Sequence, residues 1–438
     1  MKSLDRIPQS KVQRASKFIK MGAQVGGNYV KYLGDRLIND EKEARDRLNA
    51  ANANNIYDGL SELKGSALKM AQMLSMDEGI LPKEYVEKFS LAQFNVPPLS
   101  GPLVKKAFIN SLGISPDTAF TEFNTKSTYA ASIGQVHEAW INSKKYAVKI
   151  QYPGVADSVL SDLLLVKPIA MRMFDLKADE VEDYFQEVQN KLLEETDYKQ
   201  EAMNLIEVEQ TAKNIPNIVI PSVHKELSGK TLLTMDWIDG LHLSEFASSE
   251  KDREKRNLVA QSLWDFFLYH IHVHRKVHAD PHPGNFKVIN DNKLVVLDFG
   301  CMKEIPDDFY ASFFQLADLK NIEDNKTFTK TLVELGMINK NDTKEDIELI
   351  KSTFREMLLI VNQPFQHDEF DFSDPSYYKK LLFLGSQMKD NKALKKLRGK
   401  RGSRHFVYVN RTLIGLLGLM NSLNAGPINV NSYGNYNK

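Results

Sequence analysis

Apolar residues recur along this chain at helical spacing, then at strand spacing, then at helical spacing again. Between Lys11 and Leu37 the residues Val12, Phe18, Ile19, Met21, Val25, Tyr29, Val30 and Leu33 fall roughly on a helical repeat with basic residues between them. A second helical run is expected from Tyr57 to Met76, carried by Leu60, Leu63, Ala67, Leu68, Met70, Ala71 and Leu74. The Pro- and Gly-rich segment from Val96 to Pro102 is the clearest break, and a unit boundary is expected there. From about Phe120 the runs are short and rich in β-branched and aromatic residues. Tyr129 to Trp140 and Lys145 to Gln151 read as a hairpin. One long helical stretch is expected from Asp179 to Lys213, with strand-like segments at Ile218 to Ile220 and Thr231 to Met235. Beyond Gly240 the pattern is mostly helical. One hairpin interrupts it, Phe286 to Ile289 and Leu294 to Leu297, around the turn sequence Asn290-Asp291-Asn292-Lys293.

Composition narrows the class. The 438 residues, 42% hydrophobic and 26% charged, suit an ordinary soluble globular protein of two or three units, or one large enzyme split into lobes, and argue against global disorder. With 57 basic and 57 acidic residues there is no overall attraction to nucleic acid, and none is expected as a partner. The single cysteine, Cys301, excludes an intrachain disulfide framework and a cysteine-rich zinc site, and points to a reducing compartment. The most apolar stretch, Leu413 to Met420, falls well short of the ~18 residues of a membrane span, and no secretory leader is recognisable. A cytoplasmic, non-spanning protein is therefore expected. Lys2, Arg6, Lys11, Arg14, Lys17 and Lys20 stand against one acid, Asp5. That first helix reads either as a membrane-surface helix or as one packed on the protein with a solvated basic face. The basic run Lys389 to Arg404 reads as a solvated face, and Met70, Met73 and Met76 as helix packing.

The strongest chemical signal is His278-Ala279-Asp280-Pro281-His282-Pro283-Gly284-Asn285, followed by the hairpin and Asp298-Phe299-Gly300. Asp280 and Asn285 are five apart on a Pro-rich loop, and Asp298 closes the second strand. Magnesium bound with phosphates takes few protein ligands, all of them oxygen, which an Asp and an Asn supply. Aspartate, asparagine at +5, then a hairpin into Asp-Phe-Gly is the spacing of a kinase catalytic loop. His278 and His282 do not read as a metal pair, because the intervening prolines prevent the helix that i, i+4 ligation needs. In the first half, Lys149 sits inside the apolar run Tyr146-Ala147-Val148-Lys149-Ile150 and must find a charge partner or lose its proton. Glu195 and Glu201 are the candidates. On one continuous helix they lie ~120° apart, so one faces Lys149 and the other does not. The loop around Ala130, Ala131 and Ser132 stands where a kinase has its glycine-rich loop, and is alanine-rich instead. After Gly300 the chain runs almost directly into a helical pattern near Asp307, with no long activation segment and no Ala-Pro-Glu.

Together these motifs, with Arg6-Ile7-Pro8, Gly26-Gly27-Asn28, the stretch Leu63 to Ser75 and Glu195-Thr196-Asp197-Tyr198, resemble the UbiB/AarF (ADCK-like) atypical kinases, a family linked to coenzyme Q and isoprenoid-lipid metabolism. The resemblance implies an atypical two-lobed protein-kinase-like fold with a helical N-terminal extension. The extension would occupy 1–100 and cover the active site, the first lobe 101–236, and the mostly helical second lobe 237–438. That fold is of the α+β class, and the resemblance implies ATP or ADP and Mg2+ as cofactors. Asp280 would be the catalytic-loop aspartate, and Asn285 and Asp298 would hold magnesium. Lys149 would contact phosphates and pair with Glu201, Glu195 remaining the alternative. Ala130, Ala131, Ser132, Met235 and Trp237 would line the nucleotide. Lys69 and Gln72 would belong to a regulatory cover anchored by Glu195 and Asp197. It further implies an ATPase or small-molecule or lipid kinase in isoprenoid-quinone metabolism, with a lipid or quinone-precursor ligand and contacts to lipid-biosynthesis enzymes. A nucleotide-gated scaffold is the alternative, and a true protein kinase the weaker third. The location implied is the cytoplasm, peripheral to the inner face of the membrane. Two positions depart from the family pattern: Ala71 stands for a glycine, and Tyr129 for the first alanine of the alanine-rich loop.

Overall fold

The computed structural model describes residues 11–63, 65–76, 82–90, 98–131, 133–174, 178–391, 393–394, 397 and 401–433. The chain divides into two units, residues 1–203 with 222–237, and residues 204–221 with 238–438.

The first unit opens with helices α1 (Lys11–Asp35), α2 (Glu41–Leu63), α3 (Ser66–Met76) and α4 (Lys83–Ser90). The expected run from Tyr57 to Met76 is two helices. Gly65 breaks it by adopting φ +56°, where an added Cβ would stand 2.4 Å from Val155. Phe18, Met21 and Val25 of α1 share a core with Ile56 and Leu60 of α2, and with Val159 and Val188 of the later helices α7 (Val155–Phe174) and α8 (Ala178–Glu195). Helix α1 is packed on its unit, and the expected solvated basic face holds for Lys20 but not for Arg14. Arg14 is buried and ion-paired with Asp162 of α7, and Lys17 pairs with Glu62. The side of α1 away from its core is apolar instead, with Val12 79%, Ile19 73%, Val30 70% and Leu33 61% exposed.

Helices α5 (Gly101–Leu112) and α6 (Pro116–Ala119) lead into the sheet. Its strands are β1 (Glu122–Phe123), β2 (Tyr129–Ala131), β3 (Gly134–Ile141), β4 (Lys144–Gln151) and, after α9 (Tyr198–Thr211) and β5 (Ile218–Val219), β6 (Leu232–Asp236). The order is β1-β3-β4-β6, with β2 also paired to β3. The expected hairpin is thus β3–β4, turned at Asn142 with φ 55°, while Tyr129 to Ala131 form a strand of their own. Tyr146, Val148 and Ile150 of β4 enter one core with Phe108, Phe120 and Leu232. The expected single helix from Asp179 to Lys213 is also two. Asp197 accepts the backbone N–H groups of Lys199 and Gln200 at 3.1 and 3.2 Å and so starts α9 afresh.

In the second unit β5 pairs in parallel with β10 (Lys293–Val296), which joins β9 (Phe286–Ile289) and β7 (Leu241–His242). Helix α10 (Leu243–Ser249) precedes α11 (Arg253–His272), whose Val259, Leu263, Trp264, Phe266 and Phe267 are all fully or almost fully buried. A helix apolar on most of its faces is a core helix. Strand β8 (Lys276–His278) pairs with β11 (Met302–Glu304). Helices α12 (Asp307–Phe314), α13 (Leu319–Glu323), α14 (Asn325–Glu334) and α15 (Lys344–Val361) follow. Strand β12 (Glu369–Phe370), α16 (Pro375–Asp390), α17 (Arg404–Ser422) and β13 (Ile428–Asn429) complete the unit. The apolar Leu413 to Met420 stretch packs inside it through Leu416, Leu417 and Met420. Among the described residues, no helix is long and apolar enough to cross a membrane.

Candidate functional site

The candidate residues fall into two groups, one in each unit. In the first, pleat alternation puts Lys149 on the face of β4 opposite Tyr146, Val148 and Ile150. Its Nζ lies 2.6 Å from Glu201 Oε1, with both residues buried. Glu195 meets a different cation: its Oε1 is 3.2 Å from Lys69 Nζ of α3. The choice left open by the sequence is therefore decided geometrically. The two glutamates stand on separate helices, either side of the Thr196-Asp197 break, and each has its own lysine. Asp197 caps α9. Ser132 and the side chain of Gln72 lie outside the described residues.

The alanine-rich strand is held by register: Tyr129 opposes Val136, Ala130 opposes Gln135 and Ala131 opposes Gly134. Glycine is required at 134, since a Cβ there would stand 2.4 Å from Ile150 O and 2.8 Å from Tyr198 Oη. Gln135 accepts the Leu99 N–H at 2.9 Å, and His137 bonds the Asn124 carbonyl at 2.9 Å. Burial holds His137 down to about 4, against that hydrogen bond. Met235 opposes Ala147 on the Lys149 side of the sheet. Trp237 donates its backbone N–H to Lys145 O at 3.3 Å, and its ring stacks on Tyr129 with centroids 5.8 Å apart.

In the second unit the Pro-rich loop is tied to itself. Asn285 Nδ2 donates to Asp280 Oδ2 at 2.9 Å and to Asp280 O at 3.0 Å. Asn285 O accepts the Leu297 N–H at 2.9 Å, and His278 Nε2 donates to Asp298 O at 2.7 Å. The hairpin thereby returns Asp298 to the loop it left. Asp298 Oδ1 accepts the Gly300 N–H at 3.0 Å, and the buried Phe299 is held by Asn204 Nδ2 on its carbonyl at 2.9 Å. His282 Nδ1 accepts the Gly284 N–H at 3.1 Å and caps the turn there. Asn285 spends its amide hydrogens on Asp280, so that its Oδ1 is the atom that could meet a cation. One amide oxygen and one carboxylate suit magnesium held jointly with phosphates. Among the described residues, no cluster of three His, Cys, Asp or Glu side chains offers an all-protein cage.

Helix α17 contributes what spacing could not reveal. Arg411 Nη2 is 3.7 Å from Asp280 Oδ1, and Thr412 Oγ1 donates to His278 O at 3.2 Å. Gly415 lets the helix touch the loop, for a Cβ there would stand 2.2 Å from Pro281. Beyond Gly300 only β11 precedes α12.

A chloroplastic aarF domain-containing protein kinase of Arabidopsis thaliana is 29% identical over 324 residues, covering 72% of this chain and 45% of that protein. The mitochondrial atypical kinase COQ8 of Saccharomyces cerevisiae is 28% identical over 378 residues, covering 84% and 74%. The chain thus spans under half the length of the first relative and about three quarters of the second. Among solved structures, Rv3197 of Mycobacterium tuberculosis, described in complex with erythromycin, aligns with TM-score 0.57 at 26% identity, over 88% of this chain and 95% of that one. The resemblance read from the motifs is borne out, as is the kinase-like α+β fold with its helical extension. The model of the ABC1 atypical kinase-like domain matches residues 91–331, more than half of the chain, and the protein belongs to that family.

Proposed function

We propose that this protein binds Mg-ATP and either hydrolyses it slowly or transfers its phosphate to a small or lipid-like acceptor in isoprenoid-quinone or related lipid metabolism. The observation that carries the reading is the buried Lys149–Glu201 ion pair, 2.6 Å long. In a kinase-like frame that pair fixes the ammonium that meets the α- and β-phosphates. Magnesium, when bound, neutralises charge on the phosphates. Asn285 and Asp298 would hold it, and Asp280, kept in place by Asn285 and Arg411, would orient the phosphate acceptor. ADP is the expected product. The link to quinone metabolism rests on the COQ8 relative.

The short connection from Gly300 to α12 offers no platform for a substrate peptide, which weighs against a protein kinase. The apolar outward side of α1, with lysines on its flank, favours work at a membrane surface on the cytoplasmic side. The experiment is Mg-dependent ADP release by the full chain, with and without anionic liposomes, using Asp298→Asn as control. Turnover lost in that variant and raised by liposomes is expected. Unchanged hydrolysis in Asp298→Asn overturns the magnesium assignment.

The second reading is a nucleotide-gated scaffold for lipid enzymes, and Lys69–Glu195 favours it. That pair ties α3 of the extension to the end of α8, as a restraint on the nucleotide site would. Nucleotide binding without turnover, together with normal complementation by Asp280→Asn, would select it.

A further inference from the structure

We propose that Arg411 and Lys303, brought together at Tyr408, form a subsite for an anionic group on the phosphate acceptor, an inference that rests on the nucleotide reading above. The acceptor is then an alcohol that carries a phosphate or a carboxylate beside its hydroxyl. Helix α17 supplies one side of the subsite. Arg404, Tyr408, Arg411 and Gly415 recur at intervals of four, three and four, and so share a face of that helix. The approach of Gly415 to Pro281 and of Arg411 to Asp280 aims this face at the catalytic loop. Strand β11 supplies the other side. His278 of β8 packs against Phe266, Phe267 and Phe299, so Val277 and the residue opposed to it, Lys303, lie on the opposite side of the ladder. There the Lys303 ammonium stands 5.1 Å from the centroid of the Tyr408 ring.

Charge and exposure make this a place for a ligand rather than a buried brace. The Arg411 side chain is 35% exposed, Lys303 is half-buried, and Arg404, one turn before Tyr408, is exposed. Helix α17 carries no acid between Arg404 and Ser422. Asp280 draws the guanidinium inward. Its Oδ2 accepts from Asn285, while its Oδ1 is 3.7 Å from Arg411 Nη2, too far for a hydrogen bond but near enough for charge to hold charge. A guanidinium grips a phosphate or carboxylate with a fork of N–H donors, and an ammonium adds a point charge. An acceptor whose anion meets Arg411 and Lys303 puts a hydroxyl a few bonds away at Asp280 Oδ1. On transfer the hydroxyl oxygen forms a bond to the γ-phosphorus of ATP, and the bond from that phosphorus to the β–γ bridging oxygen breaks. ADP leaves with the electron pair, and the hydroxyl proton passes to Asp280. A neutral alcohol would meet Asp280 with nothing to hold its other end. A free solute and a lipid headgroup offer the same chemistry.

The test compares acceptors within each variant. Full-length wild type, Lys303→Met and Lys303→Arg receive Mg-ATP with glycerol 3-phosphate, glycerate or glycerol. They also receive it with phosphatidylcholine vesicles containing either phosphatidylglycerol or phosphatidic acid, whose head has no carbon-borne hydroxyl. Phosphorylated product is identified by mass, and kcat/KM for each anionic acceptor is taken as a ratio to that for glycerol. The ratio cancels any loss of folding or nucleotide binding, which would slow glycerol as much. Wild type should prefer an anionic acceptor by about tenfold or more. Preference for glycerol 3-phosphate or glycerate marks a free solute; preference for phosphatidylglycerol, with phosphatidic acid inert, marks a headgroup. Lys303→Met should lower the preference about tenfold, the worth of one partly exposed charge-assisted contact, and Lys303→Arg should restore it. A ratio near one in wild type overturns the subsite, as does a preference unchanged in Lys303→Met. A loss in Lys303→Arg as deep as in Lys303→Met overturns it too, by assigning the lysine to packing. If calorimetry shows ATP bound but none of these molecules is phosphorylated, the acceptor subsite is refuted with the nucleotide reading standing. If ATP is not bound, the nucleotide reading itself falls.

Discussion

Removing Arg14 should unfold the extension from its unit at a cost the structure allows to be bounded. Arg14 Nε donates to Asp162 Oδ1 at 2.7 Å and Nη1 donates to Leu63 O at 3.0 Å, with the two side chains 4% and 0% exposed. Asp162 also accepts the Ser66 hydroxyl, which is 2.8 Å from Ser158 Oγ. One carboxylate thus joins α1, the α2–α3 junction and α7. Arg14→Met keeps most of the apolar stem but leaves the buried Asp162 with the Ser66 hydroxyl in place of its cation. Breaking a buried pair in this way costs about 3–5 kcal/mol. For a unit of some two hundred residues, ~2–4 °C per kcal/mol translates this into a fall in melting temperature of roughly 10 °C. Arg14→Met with Asp162→Leu removes both charges from a site lined by Leu63, Val159 and Leu163, and should recover most of the loss. Calorimetric melting of the full chain, with limited proteolysis of α1–α4, measures both. A single variant that melts within about 2 °C of wild type would refute the reasoning. So would a double variant as damaged as the single.

Two further outcomes are expected. Burial is the largest cause holding His137 and His270 down to about 4 and His272 to about 3. The unfolded chain then takes up protons first as pH falls from about 6.5, so stability is full above that pH and is lost on acidification, by on the order of 1 kcal/mol per pH unit for each histidine. Melting temperature should be level above pH 7 and decline from 6.5 to 5, less steeply in His270→Gln; a flat profile contradicts this. Gly415→Ala puts a methyl against Pro281 beside Asp280, whereas at Gly418 the nearest atom, Tyr378 Oη, is 3.4 Å away. The first substitution should cost about 1–3 kcal/mol and reduce ADP release, and Gly418→Ala should change little; equal effects in melting and turnover assays would count against the α17–loop contact.

What the sequence revealed of the site is what lies close along the chain. Asp280 and Asn285 share one loop, and a hairpin of fixed register returns Asp298 to it, so spacing alone exposes the arrangement. Lys149 is visible because a cation in an apolar strand is conspicuous. The break at Thr196-Asp197 was missed because a capping aspartate needs only two residues, and the apolar repeat resumes in α9 almost without a gap. Arg411 and Asp280, or Arg14 and Asp162, lie more than a hundred residues apart and leave no periodicity to read.

Helix α1 shows why such distant pairs matter most where the pattern is ambiguous. Arg14, Phe18, Met21 and Val25 are spaced four, three and four apart and form one face, which is buried. Val12, Ile19, Val30 and Leu33 form another, equally apolar, which is not. A rule that places apolar residues inside cannot choose between two apolar faces. Burying the second would strand the Arg14 guanidinium from Asp162, and where the two stripes gain alike, the cost of about 3–5 kcal/mol for the uncompensated buried carboxylate is left without an offset. It follows that the ion pair, rather than the hydrophobic stripe, selects which face of α1 meets the protein. The apolar face left outside is the one the liposome experiment addresses.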